Sequence, residues 1–362
     1  MTEILRQQVN QALAALGLAV ADFWLGPTAD LSHGDYSSNV ALVLAQAGQR
    51  APRALAETIV VELKKSLPTM VATVEPAGPG FINFRLTKDF FSGEIKKVIQ
   101  EKTNYGRGTT LANQKIMVEY TDPNPFKEFH IGHLMSNAIG EAIARLLSWQ
   151  GAKVKRACYQ GDVGLHVAKA IWAARLLPQP PEDIRGWGEA YARGSQAYDT
   201  DPAARIAIET LNKVIFERRD EAINALYDQG KKVSLAHFEE IYHRLGTAFD
   251  YYFLESVVAP LGQELVERWR EKGVFEIGTD GAIIFRGEKD GLHTRVFINA
   301  LGLPTYEAKD LGLNTEKFTL EPELDQSLIV TANEQNAYFA VVLKVLNLIA
   351  PAVGAKTKHL SH

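Results

Sequence analysis

Apolar positions recur along the first hundred residues with two periods. Ile4, Leu5, Val9, Leu13 and Leu16 fall at helical spacing, with Gly17 placed to end the helix. The run His33-Gly34-Asp35-Tyr36-Ser37-Ser38-Asn39-Val40-Ala41 opens a second helix, and Pro52 fits the first turn of a third, RALAETIVVELKKS. MVATVEPA and GFINFRL then read as strands. In the latter, Ile82, Phe84 and Leu86 face one way and Phe81, Asn83 and Arg85 the other. A last helix is predicted from about Lys88 to Lys102, with Thr87 as its N-cap, and Gly106-Arg107-Gly108 as a linker. This pattern marks residues 1–108 as a small α/β domain.

From residue 109 the pattern changes to buried strands alternating with helices. KIMVEY reads as a buried strand that breaks on the turn Thr121-Asp122-Pro123-Asn124-Pro125. His130-Ile131-Gly132-His133 follows, then a helix predicted to bury Leu134, Ala138, Ala142, Leu146 and Trp149 on one face. KVKRACYQ is the second parallel strand, ending in Gly161-Asp162-Val163-Gly164. That is a place where α/β sheets hold ligand groups and where an aspartate can equally cap a helix. Pro178, Pro180, Pro181 and Gly186 break the pattern, and charged helices predict an insertion over about 176–270. GVFEIG, GAIIFRG and HTRVFINA are strands, the first two joined by a hairpin turn at GTDG. Tyr306 and Asp310, four apart, share a helical face. Finally LIVTA leads through Asn333-Glu334-Gln335-Asn336 into a helix with a core stripe of Phe339, Val342, Leu343, Leu346 and Ile349. The second domain, 109–362, is therefore a parallel α/β sheet interrupted by a helical insertion.

Composition narrows the class. A chain of 362 residues that is 46% hydrophobic and 23% charged is an ordinary globular one with room for two domains. Its apolar runs fall far short of a bilayer span, so no membrane segment is expected. Cys158 is the single cysteine, which excludes a disulfide framework or a cysteine zinc cluster and fits a reducing cytoplasm. His237 and His243 are six apart, off a common helical face, so no bound metal is expected there. The net charge of −4 argues against a general coat of positive charge but leaves room for a local nucleic-acid contact.

The chemistry concentrates at the strand–turn–helix. The N-terminus of a helix presents free N–H groups to an anion. His130 and His133 add donors for phosphate oxygens, and Gly132 lets a flat ring approach the backbone. This arrangement suits a nucleoside triphosphate attacked at its α-phosphorus.

The surrounding residues E-Y-T-D-P-N-P-F-K-x-F-H-I-G-H-L resemble the signature of class I aminoacyl-tRNA synthetases, and specifically of arginyl-tRNA synthetase. G-D-Y-S-x-N-V-A and P-G-F-I-N-F are similar to the N-terminal domain peculiar to that family. The resemblance implies a Rossmann-like catalytic sheet and an ATP-dependent ligase. It would convert L-arginine to arginyl-adenylate and transfer it to tRNA(Arg), with Mg²⁺ arriving on the ATP and no tightly bound metal. It implies that His130, His133 and Lys127 act on the ATP phosphates, with Gly132 beneath the nucleotide. Glu119, Asn124, Tyr306, Asp310 and Gln335 would form the arginine pocket, with the acids answering the guanidinium fork. It further implies that the outer face of GFINFRL meets the tRNA corner, with Phe81 stacking on a base and Asn83 reading its edge. By sequence alone Phe81 fits a core position equally well.

The resemblance stops before a second signature, K-M-S-K-S-like, and before the helical anticodon-binding domain. The expectation is a fragment of a longer enzyme, or a chain completed by another, monomeric and cytoplasmic. Three rival readings stand beside it. They are a small nucleotidyltransferase, a synthetase for another basic amino acid, and a non-catalytic tRNA-binding protein kept for its front domain.

Overall fold

The computed structural model describes residues 1–18, 22–48 and 51–362, which form two compact units, 1–106 and 107–362. Among the described residues no helix is long and apolar enough to cross a membrane.

In the first unit α1 (Thr2–Ala15), α2 (Val40–Gly48) and α3 (Pro52–Leu63) accompany a four-stranded antiparallel sheet. Its strands are β1 (Leu25–Pro27), β2 (Tyr36–Ser38), β3 (Val71–Ala77) and β4 (Phe81–Leu86), in the order β1-β2-β4-β3. Leu5, Val9 and Leu13 of α1 meet Ile59 of α3 and Val74, Ile82 and Phe84 of the sheet in one core. The wet face of β4 is thereby settled. Ile82, Phe84 and Leu86 are buried, Phe81 and Asn83 half-buried, and Arg85 exposed. The Gly-Asp-Tyr-Ser-Ser-Asn run knits this sheet together. The Asp35 carboxylate accepts from Leu86 N at 2.7 Å, Ser37 donates to Asn83 Oδ1 at 2.7 Å, and Asn39 Oδ1 accepts from Trp24 N at 2.8 Å. Gly34 is required where it stands, because at φ +91° a Cβ would lie 2.7 Å from the Phe84 carbonyl. α4 (Lys88–Glu101) ends the unit, capped by Thr87 Oγ1, which accepts from Phe90 N.

The second unit is built on a five-stranded parallel sheet, β12-β11-β5-β6-β7. The chain enters at the centre with β5 (Lys115–Glu119), crosses by α5 (Ile131–Trp149) to β6 (Lys153–Gln160), and passes through α6 (Leu165–Ala174). Three long helices follow: α7 (Ile184–Thr200), α8 (Pro202–Glu217) and α9 (Glu221–Leu245). Each starts on an aspartate, Asp183, Asp201 or Asp220, whose carboxylate accepts a first-turn N–H. The excursion is shorter than its sequence suggests. β7 (Tyr251–Leu254) pairs with β6, and α10 (Glu255–Arg270) packs on α11 (Tyr306–Leu320). Both therefore belong to the sheet domain, since helical periodicity alone cannot separate α10 from α9. A small antiparallel sheet of β8 (Glu276–Ile277), β9 (Ile283–Phe285) and β10 (Arg295–Ile298) precedes α11. The chain then returns to the far side of β5 with β11 (Gln326–Thr331), α12 (Asn336–Ile349), α13 (Pro351–Lys356) and β12 (Thr357–Ser361). Strand order reverses between β5 and β11. Such a switch point opens a crevice at the carboxyl ends of the strands.

Two close approaches set the walls of that crevice. α10 and α11 cross in backbone contact, where a Cβ on Gly262 would lie 1.9 Å from the Ala308 carbonyl, and one on Gly312 2.3 Å from the Val258 carbonyl. This contact fixes the depth of α11 and with it Tyr306 and Asp310.

The second approach corrects a sequence expectation. The face of α5 carrying Leu134, Ala138, Ala142 and Leu146 is turned outward, with Leu134 37% and Leu146 66% exposed. The buried face is His133, Ser136, Asn137, Gly140, Glu141 and Ala144. The contact is made by small and polar groups. A Cβ on Gly140 would sit 2.2 Å from the Tyr120 ring, and Glu141 accepts from Tyr120 OH at 2.5 Å and Arg156 Nε at 2.8 Å. Ser136 donates to the Val330 carbonyl at 3.1 Å and Asn137 Nδ2 to Thr121 Oγ1 at 2.9 Å. With every polar group answered, this face is buried despite its low hydrophobicity.

Candidate active site

The turn after β5 is sharply shaped. Thr121, Asp122 and Phe126 have φ of +83°, +47° and +67°, a region rarely used by residues other than glycine. Three contacts hold it. Asp122 Oδ1 accepts from Tyr159 N at 2.8 Å, Phe126 N donates to Ser234 Oγ of α9 at 2.9 Å, and the Phe126 ring is buried among α6, α7 and α9. Lys127 follows, with Nζ 4.4 Å from the centre of the Tyr191 ring.

The two histidines form the start of α5 itself. His130 is the N-cap, and its Nδ1 accepts from Gly132 N at 3.1 Å, while His133 Nδ1 accepts from His130 N at 3.3 Å. The rings stack with centroids 3.7 Å apart and planes 20° apart. Because each Nδ1 accepts a backbone N–H, Nε2 carries the proton of the neutral ring. Burial, with the charges of His130 and Lys127 adding to it, pushes His133 down to about 4, so it is neutral at pH 7. The arrangement offers N–H donors at a helix N-terminus, with cationic charge supplied by Lys127.

A cavity of about 440 Å³ opens at the switch point. Its floor is Glu119 at the end of β5 with Asp122 and Asn124 of the turn. Tyr159, Gly161 and Glu255 form one wall, Tyr306, Glu307 and Asp310 of α11 another, and Gln335, Tyr338 and Phe339 close it. The five residues singled out for the amino-acid pocket, Glu119, Asn124, Tyr306, Asp310 and Gln335, thus meet around one cavity. His130, Gly132, His133 and Lys127 lie outside its lining, on the same turn and helix start. Phe81 and Asn83 are in the other unit.

Five carboxyl groups face this cavity, and three have basic partners of their own. Lys317 Nζ lies 2.5 Å from Glu119, Lys309 Nζ 2.5 Å from Glu255, and Arg295 3.3 Å from Glu307. Asp122 and Asp310 have no lysine or arginine paired with them among the described residues; Asp310 accepts a hydrogen bond from Tyr338 OH. Burial pushes Asp310 up to about 7, with Tyr338 opposing and Glu119 adding to the rise. Burial and Glu119 likewise raise Asp122 well above the usual carboxylate range. The pocket thus holds five carboxyl groups against three protein cations.

The loop beside the pocket is held by groups that sequence reading did not find. Asp162 is buried under four donors: Tyr227 OH at 2.7 Å, Lys231 Nζ at 2.7 Å, and Ser256 N and Oγ at 2.8 and 2.6 Å. Burial raises its carboxyl, but Lys231 and these hydrogen bonds outweigh that and keep it ionised. Asp162 therefore serves the start of α10 rather than of its own helix α6, whose N-cap is Gly164. His166 Nε2 donates to the Gly161 carbonyl at 2.7 Å, and burial pushes its ring down to about 3. Val163 packs in the core of the helical excursion. Lys317 lies seven residues after Asp310, two turns along the same helix, and Tyr338 lies one turn after Gln335. Those spacings were the available signals.

Residues 94–362 match the family described as "tRNA synthetases class I (R), catalytic domain", and residues 3–86 match "Arginyl tRNA synthetase N terminal domain". The chain is 28% identical over 358 residues to the arginine–tRNA ligase of Bacillus pumilus, covering 93% of this chain and 61% of that protein. It is 30% identical over 357 residues to the arginine–tRNA ligase of Listeria welshimeri, covering 93% and 60%. The fold is similar to that of arginyl-tRNA synthetase from Plasmodium falciparum (TM-score 0.76, 19% identity, 99% of this chain and 64% of that one). It is also similar to the Thermus thermophilus arginyl-tRNA synthetase (TM-score 0.71, 24% identity, 100% and 65%). The chain thus spans about three fifths of the length of the curated relatives it matches.

Proposed function

Since the chain belongs to the class I arginyl-tRNA synthetase family, we propose that it binds L-arginine and ATP and catalyses, or supplies most of the active site for, formation of arginyl-adenylate. The observation that carries this reading is a cavity with two carboxyl groups unpaired by protein cations among the described residues, next to a helix start capped by two histidines.

An oxygen of the arginine carboxylate attacks the α-phosphorus of ATP, the bond to the bridging oxygen breaks, and pyrophosphate leaves. No side-chain nucleophile is needed; the protein's task is positioning and charge. The Nε2–H groups of His130 and His133 donate to phosphate oxygens as charge grows on them, and Lys127 leaves its place on Tyr191 to add positive charge. Magnesium enters with the ATP as part of the substrate. Asp310 receives the guanidinium, with Tyr306 and Gln335 beside it and Glu119 beneath, held by Lys317. Asn124 holds the substrate's backbone end. The arginyl group then passes to the terminal ribose hydroxyl of tRNA(Arg), whose outer corner meets the Phe81 and Asn83 face of the front domain.

Two outcomes follow. Arginine should drive exchange of labelled pyrophosphate into ATP when tRNA(Arg) is present, with lysine inactive. Exchange supported equally by lysine would contradict the reading. Arginine affinity should also depend on pH with a defined sign. A guanidinium needs Asp310 ionised, and in the empty pocket that carboxyl ionises only near pH 7. Affinity is therefore greatest above pH 7 and should fall by about tenfold between pH 8 and pH 6, with proton release on binding seen by calorimetry in buffers of different ionisation enthalpy.

A further inference from the structure

One polar group in the wall of the cavity is left without a task. Tyr159 is the next-to-last residue of β6. Alternation along the strand turns Cys158 toward Tyr242 and sends Tyr159 to the other face, where its ring packs against the cluster of Phe253, Val258 and Leu313. Its backbone N–H is tied to Asp122 Oδ1 at 2.8 Å, so the strand, the cluster and the turn together fix the residue. Tyr159 lines the cavity, and its buried hydroxyl has no hydrogen-bond partner among the described residues. A phenylalanine would fill the same space without leaving a buried hydroxyl unanswered. Burial, with the charges of Glu255 and Asp310 adding to it, raises the phenol well above its ordinary value, so the oxygen keeps its proton.

A guanidinium carries five N–H donors, and one carboxylate takes two of them in parallel. On the reading above, on which this inference rests, Asp310 is that carboxylate, and three donors still need acceptors. Glu119 and Glu255 are already engaged by Lys317 and Lys309. We infer that the Tyr159 hydroxyl oxygen accepts one N–H of the substrate's guanidinium and so is a specificity-determining residue for arginine. Bound arginine gives the hydroxyl the partner that no described residue provides. The hydroxyl's own hydrogen rotates toward the carboxyl groups of the same wall.

The test is Tyr159→Phe, which removes one oxygen and keeps the ring. Both chains are titrated calorimetrically with L-arginine and with agmatine, which keeps the guanidinium and lacks the carboxylate. The variant should bind arginine about tenfold more weakly, the scale of a hydrogen bond to a charged group, and should weaken toward agmatine by the same factor. Its ligand-free melting temperature should equal or exceed that of the wild type, because the oxygen removed is buried without a partner. Unchanged arginine affinity would overturn the assignment. So would a lowered melting temperature, which would make the hydroxyl a structural group. Weakened arginine with unchanged agmatine would move the hydroxyl to the carboxylate end and overturn it too. Failure of the wild-type chain to bind arginine would instead overturn the arginine reading beneath it.

Discussion

Asp310→Asn is expected to lower arginine affinity by about a hundredfold while leaving the fold intact. The carboxyl faces the cavity without a basic partner and accepts one hydrogen bond, from Tyr338. Asparagine keeps the acceptor for that hydroxyl and removes only the charge. The loss is the charge-assisted contact with the guanidinium, about 1.5–3 kcal/mol per hydrogen bond to a charged group and more where two run in parallel. Stability should hold or rise, because an unpaired buried acid costs desolvation energy and burial already pushes this one up to about 7. Calorimetry and thermal melting of the variant separate the two effects. An affinity within threefold of wild type, or a lowered melting temperature, would contradict the role given to Asp310.

Lys317→Met is expected to do the reverse, costing stability first. The Lys317 side chain is completely buried on α11, with Nζ 2.5 Å from Glu119 and 3.1 Å from Asn314 Oδ1. Its loss leaves Glu119 facing Asp122 and Asp310 with no counter-charge. Breaking such a pair from one side costs about 3–5 kcal/mol, whereas replacing both partners is nearly neutral. For a unit of this size that is a fall in melting temperature on the order of 10 °C. The double variant Lys317→Met/Glu119→Gln should recover most of it. If the single variant melts with wild type, Lys317 is not the counter-ion that holds Glu119. On the proposed reading, Lys317 also shifts the pocket's selectivity: it already neutralises Glu119, so the charge that discriminates a guanidinium falls to Asp310.

Where the sequence was informative, the physics was local. Strand alternation in GFINFRL separated Ile82, Phe84 and Leu86 from Phe81, Asn83 and Arg85 because the period is two, and the fold then decided which set is buried. Thr87 announced α4 as its N-cap because capping needs only a few adjacent residues. The five pocket positions were named because they lie in short runs with a family likeness, two of them one helical turn apart. What was illegible depended on partners remote in sequence. The buried face of α5 is polar because Tyr120, Thr121, Arg156 and Val330 answer it from the sheet, and apolar periodicity points to the opposite face. Asp162 looked like a cap for the next helix, but its donors come from α9 and the start of α10, 65 to 94 residues later. The assignment of Lys317, Lys309 and Arg295 to particular carboxylates required the α10–α11 crossing and the placement of β10. Which acids were left over could not be read from the chain alone.

The most direct measurement is calorimetric titration of this chain with L-arginine and with L-citrulline, at pH 8 with Mg-ATP present. Citrulline has nearly the shape of arginine and no guanidinium charge. The pocket described here predicts that arginine binds and that citrulline binds at least about tenfold more weakly, since only the cation answers Asp310. Equal binding of the two, or no binding of arginine, would contradict a site built around the unpaired carboxyl of α11.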